Sequence, residues 1–112
     1  QDQAAAYLDS LNLPEGSVIT DVAYSFPIVL ASRNPKQFVI TTDRDFKEKL
    51  SNPVKGRVRY ALVTDPAFST ADAVALRFPG IYEDGSGVAT LEREWRDSRG
   101  VAWRLYAFNG FS

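Results

Sequence analysis

The 112-residue chain contains no cysteine, no histidine and no methionine. Without cysteine there is no disulfide framework and no thiolate nucleophile, and the compartment stays open because lack of cysteine fits any redox environment. The joint absence of cysteine and histidine excludes a Ser–His–Asp triad, Cys–His catalysis and the usual zinc sites. A translated chain ordinarily begins with methionine, so its absence leads us to expect a piece excised from a longer protein. Long apolar runs are missing too: none approaches the ~20 residues needed to cross a bilayer, and no signal peptide is recognisable. Excess charge of one sign is also lacking. A net charge of −1 gives no electrostatic case for nucleic acid or an acidic membrane surface. No cofactor motif is present. In particular, "YEDGSGVA" places its glycines between a helix and a strand, after acids and without a lysine. That is the reverse of a phosphate-cradling loop, and it reads as a turn.

What is present is globular. Hydrophobic residues make up 45% and charged residues 24%, a composition for one domain spanning residues 1–112. "AAAYLDSLNLPEGS" reads as a short helix with Tyr7, Leu8 and Leu11 on one face, ended by Pro14-Glu15-Gly16. "SVITDVAY" contains a strand near 17–22. Ser25 and Pro27 predict a helix over 26–32, with Ser25 as its cap and Pro27 in the first turn. Further strands are expected near 37–41 and 57–64. A helix over 43–50 stands between them, and a third begins at Asp65-Pro66 or Ser69-Thr70, with Ala71, Val74, Ala75 and Phe78 at helical spacing. The segments near 87–95 and 101–108 alternate apolar and polar residues around "RDSRG", the pattern of a β-hairpin. The order predicts an α/β three-layer sandwich. Its short parallel sheet of about three strands is extended by the antiparallel hairpin at its C-terminal end.

Three strands end alike, in "VITD", "VITTD" and "LVTD". This places Asp21, Asp43 and Asp65 at the carboxyl ends of parallel strands, the edge where open α/β sheets bind ligands. With Arg44 beside them, these acids could bind a divalent cation or sugar hydroxyls. The simpler reading is helix capping. Thr42 or Asp43 would cap the helix 43–50 with Asp45 supporting its first turn, and Asp65 and Ser69-x-x-Asp72 would serve as further caps. Capping takes precedence, and Asp21 is the acid it explains least. Trp95 and Trp103, with Tyr82 and Tyr106, could stack a sugar if exposed, whereas hairpin aromatics more often pack across strands.

The segments "YLDSLNLPEGSVITD", "FVITTDRDF" (38–46), "FPGIYEDGSGVATL" (78–91) and "WRLY" (103–106) carry a resemblance that runs from Tyr7 to Phe108. They are similar to the soluble C-terminal region of actinobacterial multi-spanning membrane proteins of the cell envelope. Those are glycosyltransferase-like proteins related to dolichyl-phosphate-mannose–protein mannosyltransferases. The resemblance implies a non-catalytic accessory domain on the extracytoplasmic face of the cell membrane. Its partner would be the membrane-embedded portion of the same polypeptide, with a carbohydrate or glycolipid acceptor also in reach. The parent would use a polyprenyl-phosphate-linked sugar, and no catalytic residue carries over to this chain. The competing expectation is a free-standing small α/β domain that binds ligand, or acts as an enzyme, through the strand-end acids.

Overall fold

A computed structural model describes residues 3–110. The chain is a mixed α/β domain built on one five-stranded mixed sheet of order β2-β1-β3-β5-β4. The strands are β1 (Val18–Thr20), β2 (Phe38–Ile40), β3 (Tyr60–Thr64), β4 (Ala89–Arg96) and β5 (Ala102–Phe108). The first three are parallel, with Val18 opposite both Phe38 and Tyr60. β5 runs antiparallel to β3 and to β4, with a register irregularity between Leu91 and Arg93. β1 is buried throughout, as a central parallel strand must be when both its faces are covered.

Successive strand residues point to opposite faces, and the buried side chains divide accordingly. Ile19, Val39, Ala61 and Val63 join one apolar cluster, together with Phe46, Leu50, Val74, Phe78 and Ile81. Those partners come from α3 (Phe46–Ser51), α4 (Ala73–Arg77), its C-cap Phe78, and α5 (Ile81–Asp84). Val18, Phe38, Leu62 and Leu105 join the other cluster, with Leu8 of α1 (Gln3–Ser10), Ile28 of α2 (Val22–Ala31), Trp95 and Trp103.

The helix starts depart from expectation, each for a local reason. α2 begins four residues early because Asp21, not Ser25, is its N-cap: one carboxylate oxygen accepts from Ala23 N at 3.0 Å. Ser25 is buried inside the helix and donates its hydroxyl to Asp21 O. Pro27 therefore lies in the helix body, where its missing N–H leaves the carbonyl of exposed Ala23 without its usual partner. α3 starts at Phe46, not residue 43, because the chain first folds back on β2. Asp43 N donates to Ile40 O at 2.9 Å, and Asp43 Oδ2 accepts from Ile40 N at 2.9 Å. Neither Thr42 nor Asp43 caps α3. Asp45 holds the cap position without a side-chain cap bond and pairs with Lys49 at 3.0 Å. α4 is capped by Asp72, which leaves Asp65, Ser69 and Ala71 in the preceding loop. α5 has no counterpart in the sequence reading. Gly80, in the left-handed region at φ 84°, turns the chain out of α4, and "IYED" coils once more before the glycines.

Candidate functional site

Two places were open to a ligand: the carboxyl edge of the parallel strands and the surroundings of the two tryptophans. At the strand edge the acids are held by backbone amides. Asp21 spans two helix starts, accepting from Ala23 N at 3.0 Å and from Ala73 N at 2.9 Å. Asp65 accepts from Ala67 N at 2.9 Å, and Asp43 is committed to Ile40. Arg44 is exposed, in the groove that runs beside β2 with Asp43, Asp45, Lys36 and Lys49. Among the described residues no three acids gather as a metal-holding group.

The structure instead brings Asp21 near Asp72, which sequence reasoning treated as a minor cap. Asp72 is 1% exposed. Its Oδ1 accepts from Val74 N at 2.9 Å and Ala75 N at 3.3 Å. Burial pushes its carboxyl up to about 6; the two amide bonds oppose that shift and the Asp21 charge adds to it. Its position directly before "AVALR" was the available signal, but nothing in the sequence marks its burial. Calcium and magnesium are each expected to leave the melting temperature unchanged, because every strand-end acid already spends oxygens on backbone N–H groups. A saturable rise that disappears in Asp21→Asn, Asp43→Asn and Asp65→Asn would overturn this structural role.

The tryptophans face each other across β4 and β5, Trp95 opposite Trp103, and are 9% and 3% exposed. The Tyr7 ring tilts against Trp95 at a centroid distance of 5.5 Å, and Arg93 lies over Tyr7 at 4.6 Å. Such burial removes the open stacking platform that exposed indoles would make. Tyr106 is likewise a core residue, its hydroxyl donating to Tyr82 O at 2.6 Å. Beside the tryptophans, however, there is a cleft of about 450 Å³. Pro27 and Ile28 of α2 line one side, and Trp95 and Trp103 line the sheet side. Arg96 and Arg99 stand at the β4–β5 turn.

That turn is well braced. Asp97 Oδ1 accepts from Arg99 N at 2.8 Å and Val101 N at 3.1 Å, and Oδ2 pairs with the Arg99 guanidinium at 2.8 Å. Burial alone would raise the Asp97 carboxyl, but hydrogen bonds from Arg99, Val101 and Trp103 hold it below its ordinary value. Arg96 Nη1 donates to Gly100 O at 3.0 Å. The result is an open recess lined about equally by polar and apolar atoms, with Arg96 and Asp97 fixed by the turn at its rim. No family model matches the chain, and searches of curated proteins and of solved structures find no significant match.

Proposed function

We propose that the domain is a non-catalytic extracytoplasmic accessory module of a membrane glycosyltransferase that uses a polyprenyl-phosphate-linked sugar. Its work is to hold acceptor or sugar for the membrane-embedded portion of the same polypeptide. The architecture we propose is a three-layer sandwich closed by a C-terminal hairpin, supported by the two separate apolar clusters on either side of the sheet. The observation that carries the functional reading is the cleft beside Trp95 and Trp103. It is large enough for a sugar unit, and its polar lining includes Ser98, Gln3 and the guanidinium groups of Arg96 and Arg99, which also bond Gly100 and Asp97. The strand-end carboxylates, by contrast, hold helix and turn amides, which supports a structural use for them and not acid–base work.

Titrating the purified domain with short mannose oligosaccharides, followed by amide and indole NMR signals, tests this assignment. Saturable shifts confined to the cleft residues and weakened in Arg96→Ala are expected; no shift at any concentration overturns the site. Incubation with a polyprenyl-phosphate sugar is expected to give no transfer, and turnover would overturn the non-catalytic reading.

One observation favours the alternative, a free-standing α/β domain that binds ligand or catalyses through its strand-end acids. Asp72 is not itself a strand-end acid but caps α4 beside strand-end Asp21, and burial pushes its carboxyl up to about 6, a range suited to proton transfer at neutral pH. Its near-complete burial and its two amide bonds leave it no route to a substrate, so the accessory-module reading is preferred.

A further inference from the structure

The segment that joins β3 to α4 has no apolar anchor. From Pro66 to Ala71 no hydrophobic side chain is buried: Ala67, Phe68 and Ala71 are exposed and Pro66 is half-buried. The first apolar side chain fixed in the core is Val74, inside α4. The bonds of the segment mostly turn back on itself or on the end of β3. Phe68 N donates to Asp65 O at 2.8 Å, and the buried Ser69 hydroxyl reaches Asp65 O at 3.1 Å and Thr64 O at 3.3 Å. Among the described residues, two hydrogen bonds tie residues 66–73 across to the start of α2. Ala71 N donates to the Tyr24 hydroxyl at 3.3 Å, and Ala73 N donates to Asp21 Oδ2 at 2.9 Å. A segment with few buried apolar contacts opens at lower free energy than the core around it.

The far end of the segment is held by two carboxyl groups of the same sign. Asp21 and Asp72 are 6% and 1% exposed. They accept from consecutive amides at the start of α4, Asp21 from Ala73 N and Asp72 from Val74 N and Ala75 N. Among the described residues the salt bridges lie elsewhere, at Lys49–Asp45, Arg99–Asp97 and Arg104–Glu94. The elements that pack on α4 are α3, β1 and β3. β1 has no titratable residue, and β3 has only Tyr60, at its opposite end. In α3, Lys47 and Glu48 are exposed and Lys49 pairs with Asp45. Arg77, in the last turn of α4, donates to Ser51 O. Tyr24 from α2 and Asp65 from the end of β3 bring no positive charge. A carboxyl group taken out of water without a counter-ion favours its neutral form. Burial accordingly pushes Asp72 up to about 6, and the Asp21 charge adds to the shift. Ionising Asp72 in the closed fold sets a second negative charge beside the first, and moving the start of α4 into water relieves both.

We propose that residues 66–75 form a pH-operated latch, closed while Asp72 is neutral and opening locally once Asp72 and Asp21 carry charge together. This inference does not rest on the carbohydrate cleft. An open latch returns Asp72 to water and to its ordinary value of 3.8. Opening is therefore least frequent below about pH 4, grows between about pH 4 and 6, and is level above that. The move from 3.8 to about 6 corresponds to a change on the order of a hundredfold. Amide hydrogen exchange followed by NMR and corrected for intrinsic rates tests the latch. The Ala73, Val74 and Ala75 amides are expected to lose protection on the order of a hundredfold from pH 4 to pH 7. They should do so by a route insensitive to low urea, whereas the Leu62 and Leu105 amides of the sheet respond to urea as global unfolding does. Asp72→Asn should abolish the loss of protection with pH. Tyr24→Phe removes one tether, so it should lower protection at both pH values and leave the pH dependence in place. One common protection and urea dependence for all five amides would assign the opening to global unfolding and overturn the proposal. So would an unchanged pH dependence in Asp72→Asn.

Discussion

Asp72→Asn is expected to stabilise the domain at pH 7, by as much as about 3 kcal/mol, and to change nothing at pH 4. The folded carboxyl is raised from 3.8 to about 6, and each unit corresponds to about 1.36 kcal/mol. A raised acid binds its proton in the folded state at pH values where the unfolded chain has already released it. Stability from this group is therefore complete below about 3.8 and is lost as pH rises through about 6. Asn is neutral at every pH and keeps an oxygen to accept from Val74 N and Ala75 N, so it retains the cap while escaping the cost of a buried charge. Asp9, Asp45 and Asp97 are lowered in the folded state, so their contributions have the opposite sign and fade as pH falls below the ordinary carboxylate range. Subtracting the variant's denaturation free energy from that of wild type across pH 4–8 cancels those terms and leaves Asp72 alone. The expected difference grows between about pH 4 and 6 and is flat above it. At pH 7 the melting temperature should rise on the order of 10 °C. A flat difference across the whole range, or a variant less stable at pH 7, would show that Asp72 is not a strained buried carboxylate.

Much of the sheet was legible because parallel strands buried on both faces must be continuously apolar. "VIT", "FVI" and "ALVT" could hardly be anything else; an acid directly follows the first and the last, and two threonines stand between "FVI" and Asp43. The alternation in "ATLEREW" and "AWRLYAF" likewise forecast an antiparallel pair. Helix starts were less legible, because Asp, Ser and Thr can bond to several nearby amides and the sequence does not say which is chosen. Asp43 reaches back to Ile40 where a forward cap was expected, and Asp21 claims an early start for α2 that Pro27 seemed to forbid. α5 escaped notice because "YEDGSG" carries turn residues whose glycines follow a single helical turn. The candidate site was legible only in its parts. Trp95 and Trp103 were recognised, but their burial depends on Tyr7 and the helices packed over them. The Asp21–Asp72 proximity arises only when the α4 start meets the α2 start, a tertiary event that no local pattern records.

Phe46→Ala is expected to cost about 3–5 kcal/mol, the range for a fully buried aromatic removed from a core. "FVITTDRDFKEKL" supplies six charged residues around this position, yet the aromatic is what anchors the segment. Phe46 and Leu50 are buried in the cluster that contains Ile19, Val39 and Val63, whereas Asp43 and Asp45 are exposed. Asp43 contributes one exposed bond to Ile40 N. Asp45 contributes an i,i+4 pair with Lys49 in water, a type of pair worth about 0.3–0.5 kcal/mol. Asp43→Ala and Asp45→Ala should therefore each cost no more than about 1 kcal/mol. Phe46→Leu, which keeps most of the apolar volume, should fall between the alanine variants of Phe46 and of the acids. Urea denaturation at neutral pH distinguishes the cases, provided the slope with denaturant is unchanged, so that differences in midpoint report stability alone. If Asp43→Ala proved as damaging as Phe46→Ala, the charges at this junction would be doing more than closing a turn, and the strand edge would again be the place to look for a ligand.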